Sequence, residues 1–311
     1  MTSILPQEAK QTELKFRQYE TYKSERRVEI ARKFIEAKIQ RTKDVLDWLN
    51  QRYPEIDTNF KSDLSKAQTI PEIMNVEGRV AEFYWRQLHK LLSKKFEFEN
   101  RKIGKTERPM GAVDPINCLL NYGYSLLESE CRRAINSVGL DTHVGFLHEV
   151  NLGKEPLVYD LQEPFRWLID LAVINALENK IFDKKDFIRT ENFNLKLKNS
   201  GAKKLVKEVE NQLNKTAFYQ SMEYRWFNII LFKARELGQH LLGKRKIIDF
   251  GVTVANLERM DNHELREKIL ELSNSKARKL GICKSELWYL KRKANSEKPF
   301  KIYNRIKERL I

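Results

Sequence analysis

The sequence predicts a mainly helical protein, and three observations carry that expectation. Apolar residues recur at helical intervals through most of the 311 residues. Turn-forming residues are sparse, with 12 glycines and 8 prolines, which is too little punctuation for a sheet-rich fold. Several of those glycines and prolines stand where a helical pattern starts or stops. The length is enough to bury a sizeable core, so one large domain with an appendage is expected.

From about Glu8 to Arg52 the chain reads as one or two long charged helices, with Ile30, Phe34, Ile35, Val45, Leu46 and Leu49 on the apolar side. Pro71 suits the first turn of the next helix, which Glu77 to Leu92 continues. Gly104, Pro109, Gly111 and Pro115 mark residues 97–115 as a loop. Asp114-Pro115 then opens a helix that Gly139 ends. A glycine-bearing loop holds His143 to Gly153. Asp160 is expected to begin a helix running through Ala176, with Pro164 in its first turn because deeper in it would break the backbone hydrogen bonds. Alternation of Phe193, Leu195 and Leu197 suggests a short hairpin in residues 187–200. Helices are expected again over Lys203–Leu213 and Phe218–Leu242, and a polar stretch leads into a last domain near Asn256. The regions are thus an N-terminal helical part (1–70), a catalytic helical domain (71–250) and a C-terminal domain (256–311).

Lysine and arginine number 58 against 43 acidic residues, a formal charge of +15, and such a field attracts polyanions, nucleic acid before anionic membrane. Three scattered cysteines, Cys118, Cys131 and Cys283, lack metal-ligand spacing and suit a reducing cytoplasm; the first two fall in apolar helical pattern as core thiols. No apolar run approaches the roughly 20 residues a bilayer span needs, and the polar N-terminus shows no export signal, so a cytoplasmic protein with no membrane role is expected.

The residues richest in chemistry are His148, Asp160, Glu163 and Arg166, with Glu77 upstream. Asp160, Glu163 and Arg166 are spaced by three, so on one helix they share a face. His148 lies in the loop just before, and Glu77 must come from a separate helix. Carboxylate oxygens with one imidazole would suit Mn²⁺ or Mg²⁺ and leave positions open for substrate oxygens. Taken singly, such residues are ordinarily surface ion pairs or a structural histidine, and spacing alone does not choose between these readings. His89, His143, His240 and His263 have no comparable carboxylate neighbours in the sequence.

An ordered series of segments resembles one family. It runs from Glu25-Arg26-Arg27-Val28-Glu29-Ile30-Ala31-Arg32-Lys33-Phe34-Ile35-Glu36-Ala37-Lys38-Ile39 through Val76-Glu77-Gly78 to Tyr84-Trp85, then Asp114-Pro115-Ile116-Asn117-Cys118 to Gly123-Tyr124. Gly139-Leu140-Asp141, Gly145-Phe146-Leu147-His148 and Asp160-Leu161-Gln162-Glu163-Pro164-Phe165-Arg166 follow in order. Together they are similar to the integrase-endonuclease family of CRISPR adaptation (the "Cas-one" family) over about residues 25–250. The resemblance implies that Glu77, His148 and Glu163 bind the metal, with Asp160 assisting in catalysis. It also implies that a DNA 3′-hydroxyl attacks a target phosphodiester, with water as the alternative nucleophile, and that Arg79 and Arg166 serve DNA. Family members carry a β-rich N-terminal domain before the helix near Ser24; here a short helical extension is expected in its place.

Past Leu265, the stretch Lys276 to Lys293 reads as a helix-turn-helix with Gly281 in the turn and Ala277, Leu280, Ile282, Leu287 and Leu290 as its core. Lys284, Ser285, Trp288, Lys291 and Arg292 would face a groove or phosphates. Twelve basic residues against three acidic ones between Lys276 and Arg309 favour DNA over a purely structural hairpin. Combined with the absent β domain, this tail makes the chain resemble a casposase, the relative that integrates the ends of a mobile element. Double-stranded DNA is the expected partner, bound by a homodimer or homotetramer. Spacer acquisition with a partner subunit is the alternative within the family, and a non-catalytic sequence-specific DNA-binding protein the alternative outside it.

Overall fold

The computed structural model describes residues 7–92, 98, 101, 111–191, 194–219, 222–252, 269–280, 282 and 284–295. They divide into two compact units, Met1–Ala217 with Tyr224–Thr253, and Phe218–Glu223 with Val254–Ile311. Residues 1–70 and most of 71–250 fall in the first, while Phe218–Glu223, expected within the catalytic domain, belongs to the second.

Helices dominate that unit: α1 (Gln7–Tyr22), α2 (Arg26–Arg52), α3 (Ile70–Leu92), α4 (Pro115–Val138), α5 (Pro156–Gln162), α6 (Arg166–Glu178), α7 (Asn199–Leu213) and α8 (Trp226–Leu241). The expected punctuation is where it belongs. Pro71 sits in the first turn of α3, and the Asp114 side chain caps α4 by accepting from the Asn117 amide at 2.8 Å. Gly139 closes α4 in the left-handed region at φ 89°, which an L side chain rarely adopts.

Helix α6 is apolar nearly all round, from Trp167 to Leu177, and is accordingly a core helix. It packs on α4 and α7, while α4 also meets α5 and α8. Gly123 lets α4 approach: a Cβ there would lie 2.5 Å from Ile169 Cγ2. Ala31 and Ile35 of α2 pack with Ile70, Ile73 and Val76 of α3 and with Leu147, which fixes α3 against α2 beside the His148 loop. Cys118 and Cys131 are buried, as their apolar pattern predicts.

The expected hairpin is present as β1 (Phe187–Arg189) and β2 (Leu195–Leu197), antiparallel with Phe187 opposite Leu197. Two boundaries need correction. Asp160 does not begin a helix; it lies inside α5, and a 3₁₀ turn over Glu163–Phe165 separates α5 from α6. Pro164 explains the break, because it has no N–H to continue the α-helical ladder. Phe218 does not begin a helix either. Thr216–Tyr219 (β3) and Met222–Arg225 (β4) pair as a second ribbon, in keeping with the strand preference of Thr216, Phe218, Tyr219 and Tyr224.

The second unit contributes α9 (Asn274–Lys279) and α10 (Lys284–Ala294). Ala277, Ile282, Leu287 and Leu290 form its small core with Ile269, Leu272 and Ala294, and Leu280 packs against it. Gly281, Cys283 and the start of this domain near Asn256 lie outside the described residues. Among the described residues no helix is long and apolar enough to cross a membrane.

Helix α1 is a clasp on the loop that carries His148. The buried Gln18 amide donates to the carbonyls of Asp141 (2.8 Å) and Val144 (2.7 Å) and accepts from the Asp141 amide (2.9 Å). Tyr19 donates to Asp141 Oδ2 at 2.7 Å, and Arg27 Nε to the Phe146 carbonyl at 2.8 Å. The hydrogen bond to Asp141, and then burial, push the Tyr19 hydroxyl up to about 12. Burial alone would raise Asp141, but Tyr19 and His143 outweigh it and hold that carboxyl below its ordinary range.

A raised acid pKa stabilises the fold at pH below the unfolded value near 10.0, and the gain is lost as pH climbs through about 12. A depressed carboxyl stabilises above its unfolded value near 3.8 and loses that contribution as pH falls. Tyr19→Phe should therefore cost about 1–2 kcal/mol between these limits. Thermal unfolding across pH should show the difference from wild type shrinking towards both extremes.

Candidate active site

Asp160 is fully buried and saturated with donors. Its carboxylate accepts from the amides of Phe146, Leu147 (2.9 Å) and His148 (3.0 Å), and from His148 Nδ1 (2.7 Å). This arrangement assigns the imidazole tautomer: Nδ1 carries the proton, and Nε2 is left as the acceptor turned away from Asp160. Burial lowers the His148 pKa, but Asp160 more than compensates, and the net shift is upward.

Gly145 makes the nest possible. A Cβ there would stand 2.7 Å from Pro156 Cβ and 2.8 Å from both Asp160 Oδ2 and the Pro156 backbone carbon.

Glu77 of α3 and Glu163 of the 3₁₀ turn meet on a residue the motif reading passed over. Lys38 of α2 donates its ammonium to both carboxylates through short hydrogen bonds. Arg166 Nη1 stands 3.5 Å from the other Glu163 oxygen, and its guanidinium covers the Tyr124 ring at 4.1 Å. Burial alone would raise the Glu163 carboxyl; Lys38 and Arg166 outweigh it and hold it at about 2. Burial likewise works against the Lys38 ammonium, and the two carboxylates restore and raise it.

Asp160 and Glu163, though three apart, bond different partners. The helix breaks at Glu163, so Asp160 serves the His148 loop while Glu163 points to Lys38, Glu77 and Arg166. Among the described residues no three His, Cys, Asp or Glu side chains are grouped to hold an ion as they stand. The Lys38 ammonium lies between the two carboxylates, and His148 is tied to Asp160.

Lys38, Glu77, Glu163 and Arg166 border a cavity of about 610 Å³ whose wall also includes Arg41, Gly78, Trp85, Arg86 and Arg101. At its side, Tyr84 donates to Asp170 Oδ2 at 2.9 Å and Tyr124 donates to Oδ1. Burial raises the Asp170 carboxyl despite both tyrosines. The sequence signal for this cluster was weak: Asp170 sits alone in an apolar helix, which is itself a reason to look for partners.

Arg79 is exposed, two positions along α3 from Glu77 and so on another side of the helix. In the second unit Lys284 and Arg292 are exposed, Trp288 is 62% exposed with Arg292 5.4 Å from its ring, and Lys291 donates to the Leu270 carbonyl at 2.8 Å. Ser285 falls in α10. Of the other histidines, His89 bonds the Phe98 carbonyl at 2.9 Å, His240 bonds that of Arg245 at 3.0 Å, and His143 is exposed beside Asp141. His263 is outside the described residues.

A helical body that brings Glu77 and Glu163 together on a cavity wall, with His148 held by Asp160, belongs with the CRISPR integrase fold. It matches a solved casposase bound to integration product with TM-score 0.74 and 50% identity, over 80% of this chain and 74% of that one. It also matches a Cas1 protein from Thermotoga maritima with TM-score 0.63 and 27% identity, over 75% and 71%. The family model described as CRISPR associated protein Cas1 matches residues 1–211, and the chain belongs to that family. CRISPR-associated endonuclease Cas1 3 of Thermus thermophilus is 35% identical over 185 residues, 58% of this chain, and the match spans about half (54%) of that relative's length. A Cas1 endonuclease of Archaeoglobus fulgidus is 26% identical over 254 residues, 75% of this chain and 73% of its own.

Two substitutions test the geometry. Gly145→Ala should lower stability by about 1–3 kcal/mol, since Pro156 and Asp160 must both shift, and the His148 ring resonances should move in NMR spectra. Lys38→Met leaves two carboxylates facing each other and should cost about 3 kcal/mol in thermal unfolding with EDTA present.

Proposed function

We propose that this protein is a metal-dependent DNA integrase with endonuclease activity. It joins a DNA 3′-hydroxyl to a target strand by transesterification, and its natural donors are casposon ends. The observation that carries the reading is the convergence of Glu77 and Glu163, from separate parts of the chain, on one cation beside an imidazole oriented by Asp160. The match to a casposase at 50% identity supports it.

The donor set fits a divalent ion. Two carboxylates already share one cation, so they lie within reach of a single ion, and His148 Nε2 is the ring nitrogen left over from Asp160. Glu77, Glu163 and His148 would hold Mn²⁺ or Mg²⁺. Such an ion, when bound, polarises a phosphodiester oxygen and activates the attacking hydroxyl.

The chain's own residues supply the rest. Asp160 keeps the imidazole in one tautomer and orientation. The Lys38 ammonium withdraws from the carboxylates and, with Arg166, offsets the charge of a phosphate brought to the same place. One P–O bond forms as one breaks, so the exchange depends on positioning and charge more than on an energy source. Joining two ends needs two such sites, which calls for a homodimer or homotetramer on DNA. The basic second unit would bind duplex DNA as a helix-turn-helix through Lys284, Ser285, Trp288, Lys291 and Arg292, with Arg79 contacting DNA on the body. The second reading is spacer acquisition with a partner subunit; what supports a CRISPR context is that the Thermus and Archaeoglobus relatives are named CRISPR-associated endonucleases.

Labelled duplexes with 3′-hydroxyl ends, mixed with supercoiled plasmid, test both readings. Joined products with Mn²⁺ or Mg²⁺ and none with EDTA are expected, and Glu77→Ala, His148→Ala and Glu163→Ala should abolish them. Asp160→Asn should reduce joining about 10–100-fold. Wild-type joining by His148→Ala would refute the assigned site. Dependence on casposon end sequence separates the first reading from the second.

A further inference from the structure

Asp170 is a buried carboxylate that the strand-transfer reading leaves without a task. It lies on α6 and is 4% exposed. Its Oδ2 accepts from the Tyr84 hydroxyl of α3 at 2.9 Å, and its Oδ1 from the Tyr124 hydroxyl of α4. Both tyrosines are themselves buried. Helix α6 is apolar nearly all round, so a leucine at this position would bury without needing a partner. A carboxylate that takes its donors from two other helices specifies how those helices meet.

Tyr84 follows Glu77 by seven residues, about two helical turns, so both project from one side of α3. Asp170 follows Glu163 by the same seven residues, beyond the 3₁₀ turn and one helical turn after Arg166. The two segments that carry the paired carboxylates are therefore joined twice. Lys38 bridges them at the carboxylates, and the Tyr84–Asp170 bond joins them further along.

The two joints differ in kind from the packing around them. Helix α3 packs chiefly on α2, and packed helices can slide by small amounts. The hydrogen bond resists sliding, because its geometry is narrow and an unpaired buried hydroxyl or carboxylate is costly. Tyr124 holds the second oxygen and keeps Asp170 turned towards Tyr84. When an ion takes the place of the ammonium, the Lys38 bridge is lost and the hydrogen bond remains.

Resting on the metal-dependent reading, we propose that Asp170 is a positioning residue for the ion: through Tyr84 it holds α3 in the register that keeps Glu77 within reach of an ion bound by Glu163. It acts on the ion only through the helix. Loss of the Tyr84 hydroxyl therefore loosens the ion without removing a ligand.

The test is Mn²⁺ binding to the full chain without DNA, read from the electron paramagnetic resonance signal of free Mn²⁺ at a temperature where the variants are folded. Tyr84→Phe should weaken binding about tenfold, the lower end of what outer partners of a metal site contribute. Asp170→Leu should weaken it at least as much. Asp170→Asn should recover most of that loss, because its amide can accept from one hydroxyl and donate to the other. Tyr53→Phe controls for stability alone. It deletes a hydroxyl that donates to Glu178 at 2.6 Å, at the other end of α6 from Glu163. It should lower the unfolding temperature and keep the wild-type Mn²⁺ affinity.

An equal loss of Mn²⁺ affinity in Tyr53→Phe would overturn the proposal, since the effect would then be general loosening. Should Asp170→Leu not fold, Tyr84→Phe still decides. No Mn²⁺ binding by wild type would refute the metal reading and this proposal with it. Wild-type binding matched by Tyr84→Phe would refute this proposal alone.

Discussion

The buried carboxylate of Asp160 is the constraint on which the rest of the site depends. Three consecutive amides, Phe146 to His148, and one imidazole converge on its two oxygens. A fully buried carboxylate is tolerable only when its lone pairs are filled. Folding α5 against the 145–148 loop therefore orients His148 as a by-product of satisfying that charge. Gly145 admits the close approach, and α1 holds the outer side of the loop through Gln18 and Tyr19. Helix α1 is thus part of the scaffold of the site.

A second constraint is the balance of charge around the cavity. Lys38, Arg166, Glu77 and Glu163 form a tight mutual network, in which Glu163 is stabilised as an anion against the cost of burial. Asp170 lies beside it under two tyrosine hydroxyls, with its charge disfavoured by burial. Glu163 and Asp170 differ because the Lys38 ammonium and Arg166 outweigh the burial of Glu163, whereas two tyrosine hydroxyls and the pull of Arg166 and Arg101 do not offset the burial of Asp170. Arg41, one turn further along α2, is buried beside this network and pairs with Asp44.

Much of the architecture was legible beforehand because helix signals are local. Pro71, the Asp114-Pro115 start and the Gly139 stop worked as read, and the two core cysteines were placed by apolar periodicity alone. The errors came where local signals compete. Asp160, Glu163 and Arg166 have helical spacing, but Pro164 cannot donate its amide, and the chain turns to 3₁₀ geometry between α5 and α6. Phe218 fits a helical phase with the residues that follow, yet Thr216 to Arg225 forms ribbon strands, and the helix waits until Trp226.

The sequence by itself determined the helical class, most helix ends, the basic character and the family, through motifs whose order along the chain is specific. Only the tertiary structure decided which charges meet. Lys38 lies 39 residues from Glu77 and 125 from Glu163, and Gln18 lies 123 from Asp141. No periodicity reports such pairs, because they are set by how α1, α2, α3 and the 3₁₀ turn pack. The difference is physical. Secondary structure follows from backbone geometry and side chains within a few residues, whereas the electrostatics of a buried site depends on whichever distant charges packing brings within a few ångströms.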